Sequence, residues 1–307
     1  MVCKNCIEKP VINLINNNVK LCKSCYIKYF ESKVKKTITE YKLIEKNDHI
    51  VVACSGGKDS TTLLYLLKKI TKNRKDIKIT ALAIDEGIHD YRDKSLEFLK
   101  NFCKENEIEL KIFSYKEEFG KALDEILKTY KGIPCSICGV MRRYLLNKKS
   151  KELGATKLAT GHNMDDEAQS IVMNLFKSNM KLSARMGPTT GIKIHEKFIP
   201  RIKPLYLLTE KEVTSYAFIK GFMDKLNECP HMQDSFRNYV RDTVNEFESK
   251  YPGTKHSIVN SFIELLPALK SYYGSLPATL QLCERCSEPS SKKVCQTCQY
   301  IDKVIKK

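Results

Sequence analysis

The stretch HIVVACSGGKDS, His49 to Ser60, continuing as TTLLYLLKKI to Ile70, decides the fold. His49 to Cys54 is a short, β-branched apolar run of the buried-strand type, whereas the apolar residues from Asp59 to Ile70 recur at helical spacing. SGGKDS, Ser55 to Ser60, therefore joins a strand to the start of a helix. Gly56 and Gly57 let the backbone close tightly around phosphate oxygens, and the helix N-terminus with Lys58 supplies donors and positive charge. The loop lacks the G-x4-G-K-[ST] spacing of a Walker A motif.

The same change of period recurs downstream. Ile77 to Ile84, Glu109 to Tyr115 and Thr156 to Thr160 read as strands, and Arg92 to Asn106, Glu117 to Tyr130 and Val140 to Leu153 as helices. This alternation predicts an α/β fold with a doubly wound parallel sheet, whose ligand crevice lies at the carboxyl ends of the strands. SGGKDS, Asp85 and Gly161 to Asp166 all fall there. TGHNMDDEAQ, Thr160 to Gln169, places Asp165 and Asp166 at a helix start, where carboxylates either cap free N–H groups or hold Mg²⁺ against phosphates. His162 is open between a substrate contact and a packed loop histidine. Upstream, Tyr26 to Leu43 reads as a helix leading into this domain. Past residue 200 the chain turns mainly helical: Thr209 with Glu212 forms a capping box opening a helix through Ile219 that ends near Gly221, and Arg237 to Phe247 and Ile258 to Leu269 follow. The expected division is an N-terminal cysteine module (1–28), a linker helix (29–48), the catalytic domain (49–200), a helical region completing the site (201–275) and a C-terminal cysteine module (276–307).

Of 13 cysteines, eight sit as paired C-x2-C units at the two ends of the chain. Cys3, Cys6, Cys22 and Cys25 form one four-thiolate set; Cys283, Cys286, Cys295 and Cys298 form the other across a shorter polar loop. Zinc prefers four tetrahedral thiolates, and each C-x2-C supplies two from one tight turn, so two structural Zn²⁺ sites are expected. Cys54 in the strand and Cys103 at an apolar helix position read as core thiols. In PCSICGVMRRY, Cys135 and Cys138 have no second pair nearby, leaving a redox disulfide, a persulfide carrier or a partial metal site. Cys229, within ECPHMQDSFRNYVRD, is the candidate third ligand.

Fifty-three Lys and Arg against 36 Asp and Glu give a formal charge of +17. Two four-thiolate zinc sites lower this to roughly +13, and the surplus still attracts polyanions such as RNA. No window holds the ~20 apolar residues of a membrane span, and Met1 is followed by Cys3, Lys4 and Cys6 rather than an apolar signal core. A cytoplasmic protein without membrane attachment is expected.

SGGKDS resembles the PP-loop of the ATP pyrophosphatases, which cleave between the α and β phosphates and adenylate their substrates. SGGKDS, CSICG, TGHNMDDEAQ, Cys229 with SFRNYVRD, and the flanking four-cysteine modules occur in the order of the TtcA/TtuA group of tRNA thiolation enzymes. The terminal modules resemble those of its 2-thiouridine synthetases, and the resemblance spans essentially the whole chain. It implies a [4Fe-4S] cluster on Cys135, Cys138 and Cys229. It implies an ATP site at Ala53, Ser55, Gly56, Gly57, Lys58, Asp59 and Ser60, with Ile84 near the adenine and Arg142, Gly161 and Asp166 opposite. Lys58 and Asp59 then join the three cysteines in catalysis. Some family members carry Lys in place of Arg142, a change that preserves charge but not a role requiring proton loss. The resemblance also implies a tRNA substrate, a homodimer, and a sulfur donor that is either sulfide or the thiocarboxylate of a ubiquitin-like carrier protein.

The implied reaction is ATP-dependent adenylation of a uridine O2 followed by sulfur attack at C2. Three protein thiolates leave one iron of the cluster without a protein ligand and open to sulfur. Wobble uridine 34 is the expected target, with uridine 54 as the alternative, since a base must leave its stack to reach such a pocket. Two other readings remain: cluster-free persulfide chemistry on Cys135 or Cys229, and a non-enzymatic zinc-ribbon scaffold that binds tRNA.

Overall fold

Successive side chains of a strand point to opposite faces of its sheet, so a run such as IVV is stable only where both faces are covered. The computed structural model describes residues 2–14, 18–192, 198–223, 229–231, 235–276 and 281–305. In it the run is strand β3 (His49–Ala53), lying within a five-stranded parallel sheet. The sheet also contains β4 (Lys78–Asp85), β5 (Glu109–Ser114), β6 (Lys157–Ala159) and β7 (Arg201–Ile202), in the order β5-β4-β3-β6-β7. Strand β7, only two residues long, escaped the sequence reading because it carries no periodic signal. Ile50 and Val52 enter one core with Leu63, Leu66 and Leu67 of helix α2 (Lys58–Ile70), while Val51 enters the other with Ile137, Met141 and Leu145 of α6 (Pro134–Glu152). Each of these fully buried aliphatic side chains contributes about 1.5–3 kcal/mol relative to exposure.

The chain leaves β3 toward β4 on one side and returns to β6 on the other. The strand order therefore reverses at β3, between the β3–α2 loop and the loop from β6 to α7 (Met164–Phe176). Such a reversal opens a crevice at the carboxyl ends of the two strands.

Local chemistry moves several expected boundaries. The single helix expected over 117–130 is two, α4 (Tyr115–Phe119) and α5 (Leu123–Thr129): Ser114 and Glu117 form a capping box that starts α4, and Gly120, at φ 82°, ends it. A left-handed backbone favours glycine because a Cβ there meets the following carbonyl. Helix α6 begins at Pro134, not Val140; proline is preorganised for a first helical position. Cys135 and Cys138 thus lie on the first turn of a helix, one turn apart. Helix α3 (Arg92–Glu105) follows β4 close to expectation.

The helix expected over 26–43 runs from Lys23 to Glu40 as α1, capped by Cys22 Sγ, which accepts from Cys25 N. It is buried along Tyr26, Phe30 and Val34, and Phe30 stacks on Tyr216 of α9 (Glu210–Lys220) with ring centroids 4.3 Å apart. The N-terminal module joins the same core through Cys3, Leu21 and Cys22. At the other end Val304, Tyr300 and Ile301 of α12 (Gln296–Val304) pack into the α6 core. Helices α10 (Phe236–Lys250) and α11 (Thr254–Ser275) close a third core with α7. Among the described residues no helix is long and apolar enough to cross a membrane.

Each terminal set gathers four sulfurs within 4.8 Å of one another. Individual Sγ–Sγ separations of 3.5 Å (Cys6–Cys22), 3.7 Å (Cys6–Cys25) and 3.6 Å (Cys286–Cys295) approach the roughly 3.8 Å edge of a tetrahedron with Zn–S bonds of about 2.3 Å. These sets fit one tetrahedral ion each. Because Cys22 serves the set and caps α1, Cys22→Ala should lower bound metal by one equivalent per chain and also lower the melting temperature. Metal analysis with thermal unfolding checks this; unchanged metal content contradicts it.

Candidate functional site

The β3–α2 loop is shaped by its own hydroxyls. Ser60 Oγ accepts from Ser55 N at 3.1 Å and donates to Gly57 O at 3.0 Å, while Ser55 Oγ accepts from Gly57 N at 3.2 Å. Gly56 adopts φ 80°, and a Cβ there would lie 2.4 Å from Ser95 O, so both conformation and space exclude a side chain. Ala53 ends β3 directly before the loop, which leads into the N-terminus of α2, where Gly57 leaves the first amides without a side-chain cap. Those amides are a ready anion site.

The opposite wall is the β6–α7 loop. A Cβ on Gly161 would lie 3.0 Å from the Asp59 carbonyl carbon and the Ser60 amide nitrogen, so glycine is what lets the two loops touch. Asn163 caps α7, receiving Asp165 N and Asp166 N, and its amide donates to Asp59 Oδ1 at 3.3 Å. The two adjacent acids then separate in role. Asp165 is buried, accepts from Glu210 N at 2.8 Å and pairs with Lys255, which makes it a structural anchor for α9 and α11. Asp166 faces the crevice and completes the capping box with Asn163 N at 3.2 Å. Desolvation raises the pKa of Asp166, opposed by Arg237; Asp59 is raised likewise by desolvation, opposed by Lys58 and reinforced by Asp166. Lys58 Nζ lies 2.9 Å from Asp59 and 3.1 Å from Glu210. Asp59 and Asp166, whose charges repel across the two loops, fit a divalent cation shared with phosphates, the usual binding mode of Mg²⁺.

Behind the loop stands a residue the sequence reading passed over. Arg92 is buried, donates from Nη1 to Ser55 O at 2.6 Å and from Nη2 to Ile84 O, and its Nε lies 2.9 Å from Glu86 Oε2. Glu86, itself buried, is also 3.4 Å from Arg142 Nη1 on α6. No motif marks Glu86 or Arg92; the only cue was their place just after a strand whose carboxyl end faces the crevice. Glu210 was equally silent, being one of several acids on the first turn of α9.

On α6, Cys135 is exposed and Cys138 half-buried, and Cys229, in the described segment 229–231, is half-buried against the same core. Residues 228 and 232–234 of the surrounding motif, and 224–227 before it, lie outside the described residues. The pKa of Cys229 is raised by desolvation, opposed by the His231 amide and reinforced by Cys135; that of Cys138 is raised by desolvation, opposed by Arg142, with Glu86 and Cys229 adding to the rise. The three thiols therefore lie within one another's fields, and none is in a disulfide. Among the described residues only the terminal sets bring three or more ligand atoms within 4.8 Å, so the central thiols are spread more widely. A cluster whose corners are separate irons needs that wider spacing; a single ion does not. Cys54 and Cys103 are buried, and burial pushes Cys103 up to about 11, as for inert core thiols.

His162 lies on the β6–α7 loop. Its Nδ1 lies 2.9 Å from Thr160 Oγ1, and desolvation together with Lys203, Arg237, Arg201 and Arg142 pushes its pKa down to about 3. Its side chain is exposed, so the surrounding cations, which oppose an imidazolium there, leave it suited to hydrogen bonding.

A family model described as the PP-loop domain matches residues 27–248. A tRNA-5-methyluridine(54) 2-sulfurtransferase of Pyrococcus horikoshii is 36% identical over 304 residues, covering 98% of this chain and 93% of that one. The tRNA 2-thiolation protein NcsA of Haloferax volcanii is 33% identical, covering 99% of both. A solved U34-tRNA thiolase NcsA from Methanococcus maripaludis, described with its [4Fe-4S] cluster, is 34% identical with a TM-score of 0.84, covering 98% of this chain and 95% of that one. The chain belongs to the PP-loop tRNA 2-thiolation family. This is a family of ATP-dependent tRNA 2-sulfurtransferases, and the match runs through both terminal cysteine sets.

Within that family the site makes a sharp distinction among the five central cysteines. Replacing Cys135, Cys138 or Cys229 with Ala should remove iron from anaerobically prepared protein, while Cys54→Ala and Cys103→Ala should retain it. Iron and sulfide assays check this, and iron that survives Cys229→Ala but not Cys103→Ala would overturn the assignment.

Proposed function

We propose that this chain adenylates the O2 of wobble uridine 34 in tRNA and replaces that oxygen with sulfur, using a [4Fe-4S] cluster held by Cys135, Cys138 and Cys229. The observation that supports it most directly is the chain of contacts through Arg92, Glu86 and Arg142 that links the SGGKDS loop to the helix carrying Cys135 and Cys138. A bound cluster supplies an iron without a protein ligand, at which the sulfur to be transferred can be held.

The remaining work falls to the chain. The amides at the start of α2 and Lys58 hold the β and γ phosphates of ATP and stabilise the departing pyrophosphate when uridine O2 attacks the α-phosphate. Asp59 and Asp166 would hold a Mg²⁺ ion, which would supply further charge neutralisation at the same leaving group. Lys58 then exchanges its carboxylate partners for phosphate oxygens. Sulfide or a carrier thiocarboxylate supplies a nucleophile that attacks C2, and AMP departs with the original oxygen. A zinc ion in each terminal set would fold that module, which packs on the domain through its own apolar side chains.

Relatives named for position 54 and for position 34 are similarly identical to this chain, so identity does not choose between them. Base accessibility favours position 34: a wobble base already lies in a single-stranded loop, whereas a T-loop base must be freed from tertiary packing. Mass spectrometry of nucleosides from tRNA isolated with and without the active protein should show 2-thiouridine derivatives lost at position 34 and retained at 54. Loss at 54 alone would overturn the choice of target.

A further inference from the structure

Four cations direct their fields at His162, and three of them are matched. Lys203 lies 2.6 Å from Glu167, Arg142 lies 3.4 Å from Glu86, and Arg237 bonds Gln169 and Ser170 and lies 3.9 Å from Asp166. Arg201 has neither an ion pair nor a side-chain hydrogen bond among the described residues, and the same holds for Arg143.

Two features bring these unmatched guanidiniums together. Arg201 pairs in register with Leu158 on β6, which pairs with Val51 on β3. Residues in register project to the same face, and Val51 and Leu158 both enter the α6 core, so Arg201 emerges on the α6 side of the sheet. Arg143 sits on α6 one turn beyond Gly139, and its guanidinium lies back over that glycine: a Cβ at 139 would be 3.1 Å from Arg143 Nη1. The two like charges sense each other, for Arg201 is lowered to about 10 by desolvation and by Arg143, and Arg143 is lowered by desolvation and by Arg142. Arg143 is exposed and Arg201 half-buried, and two guanidiniums held beside one another without a carboxylate are unfavourable unless an anion completes the site. Arginine's planar fork matches phosphate oxygens two at a time.

We propose that Arg143 and Arg201 form a phosphate clamp at the crevice mouth that grips the RNA backbone next to the target uridine. The inference rests on the tRNA reading above. Both residues lie on the α6 side of the sheet, with the helix that carries Cys135 and Cys138, whereas α2 packs on the other face; a strand held there would run between the two chemistries. Phosphate contacts of this kind set register without reading sequence. Gly139 is then needed for its absent side chain, since Gly139→Ala crowds Arg143 where it must stay open.

The test uses Arg143→Gln and Arg201→Gln in the full chain, measuring binding of unmodified tRNA across a salt series, binding of ATP alone, and iron content. Each variant is expected to weaken tRNA binding about tenfold and to reduce the salt slope by about 0.7, the value for one phosphate on a single strand, with ATP affinity and iron unchanged. Arg143→Lys and Arg201→Lys should restore the salt slope but only part of the affinity, which a purely structural role would not produce. If wild-type protein binds tRNA and both variants match it in affinity and slope, the clamp is wrong while the tRNA reading stands. If ATP affinity falls instead with tRNA binding intact, the pair serves the triphosphate and the RNA-backbone assignment is overturned. Wild-type protein that binds no tRNA overturns both readings.

Discussion

The buried guanidinium of Arg92 is the tie on which the rest of the site depends. It reaches the carbonyl of Ser55 in the phosphate loop, the carbonyl of Ile84 at the end of β4, and the carboxylate of Glu86, which extends to Arg142 on the cysteine helix. A charge held this deep is costly unless matched, and removing one partner of such a pair typically costs about 3–5 kcal/mol. The arrangement therefore resists independent movement of the phosphate loop and the thiol-bearing helix. In the proposed reaction adenylation and sulfur attack act on one base in sequence, so a fixed distance between their two centres has chemical value.

Around that tie the acids and bases are sorted by what they face. Asp165 holds α9 and α11 through Glu210 N and Lys255, while its neighbour Asp166 lies near enough to Asp59 to raise its pKa. Cations dominate the other wall, where they oppose an imidazolium at His162. A polyanionic substrate carrying a triphosphate partner needs both: carboxylates to share a metal with the leaving group, and guanidiniums to neutralise the backbone.

Much of this was legible in the sequence, for identifiable reasons. Two-sided burial made HIVVA a recognisable strand, the glycines marked the loop, and the doubled C-x2-C units announced the two gathered four-cysteine sets. Helix α9 was readable from Thr209 and Glu212, whose reciprocal capping bonds are present. Where boundaries moved, a single residue decided: Gly120 split one expected helix into two, and Pro134 drew the start of α6 back over Cys135 and Cys138. Strand β7 was too short to show a period, yet it carries Arg201. Glu86 and Arg92 were invisible because their importance arises from three carbonyl and carboxylate groups that meet only after folding. The link from Cys229 to Cys135 and Cys138 likewise depends on tertiary placement, and no local spacing encodes it.

The central claim is that the uridine oxygen leaves on AMP because the base is first adenylated. It is tested most directly by supplying the anaerobically prepared protein with tRNA whose target uridine carries ¹⁸O at O2, together with ATP and sulfide, and recovering AMP for mass spectrometry. The account predicts one ¹⁸O in each AMP formed, in step with the appearance of 2-thiouridine. Thiolation accompanied by unlabelled AMP, or by ADP in place of AMP and pyrophosphate, would contradict it.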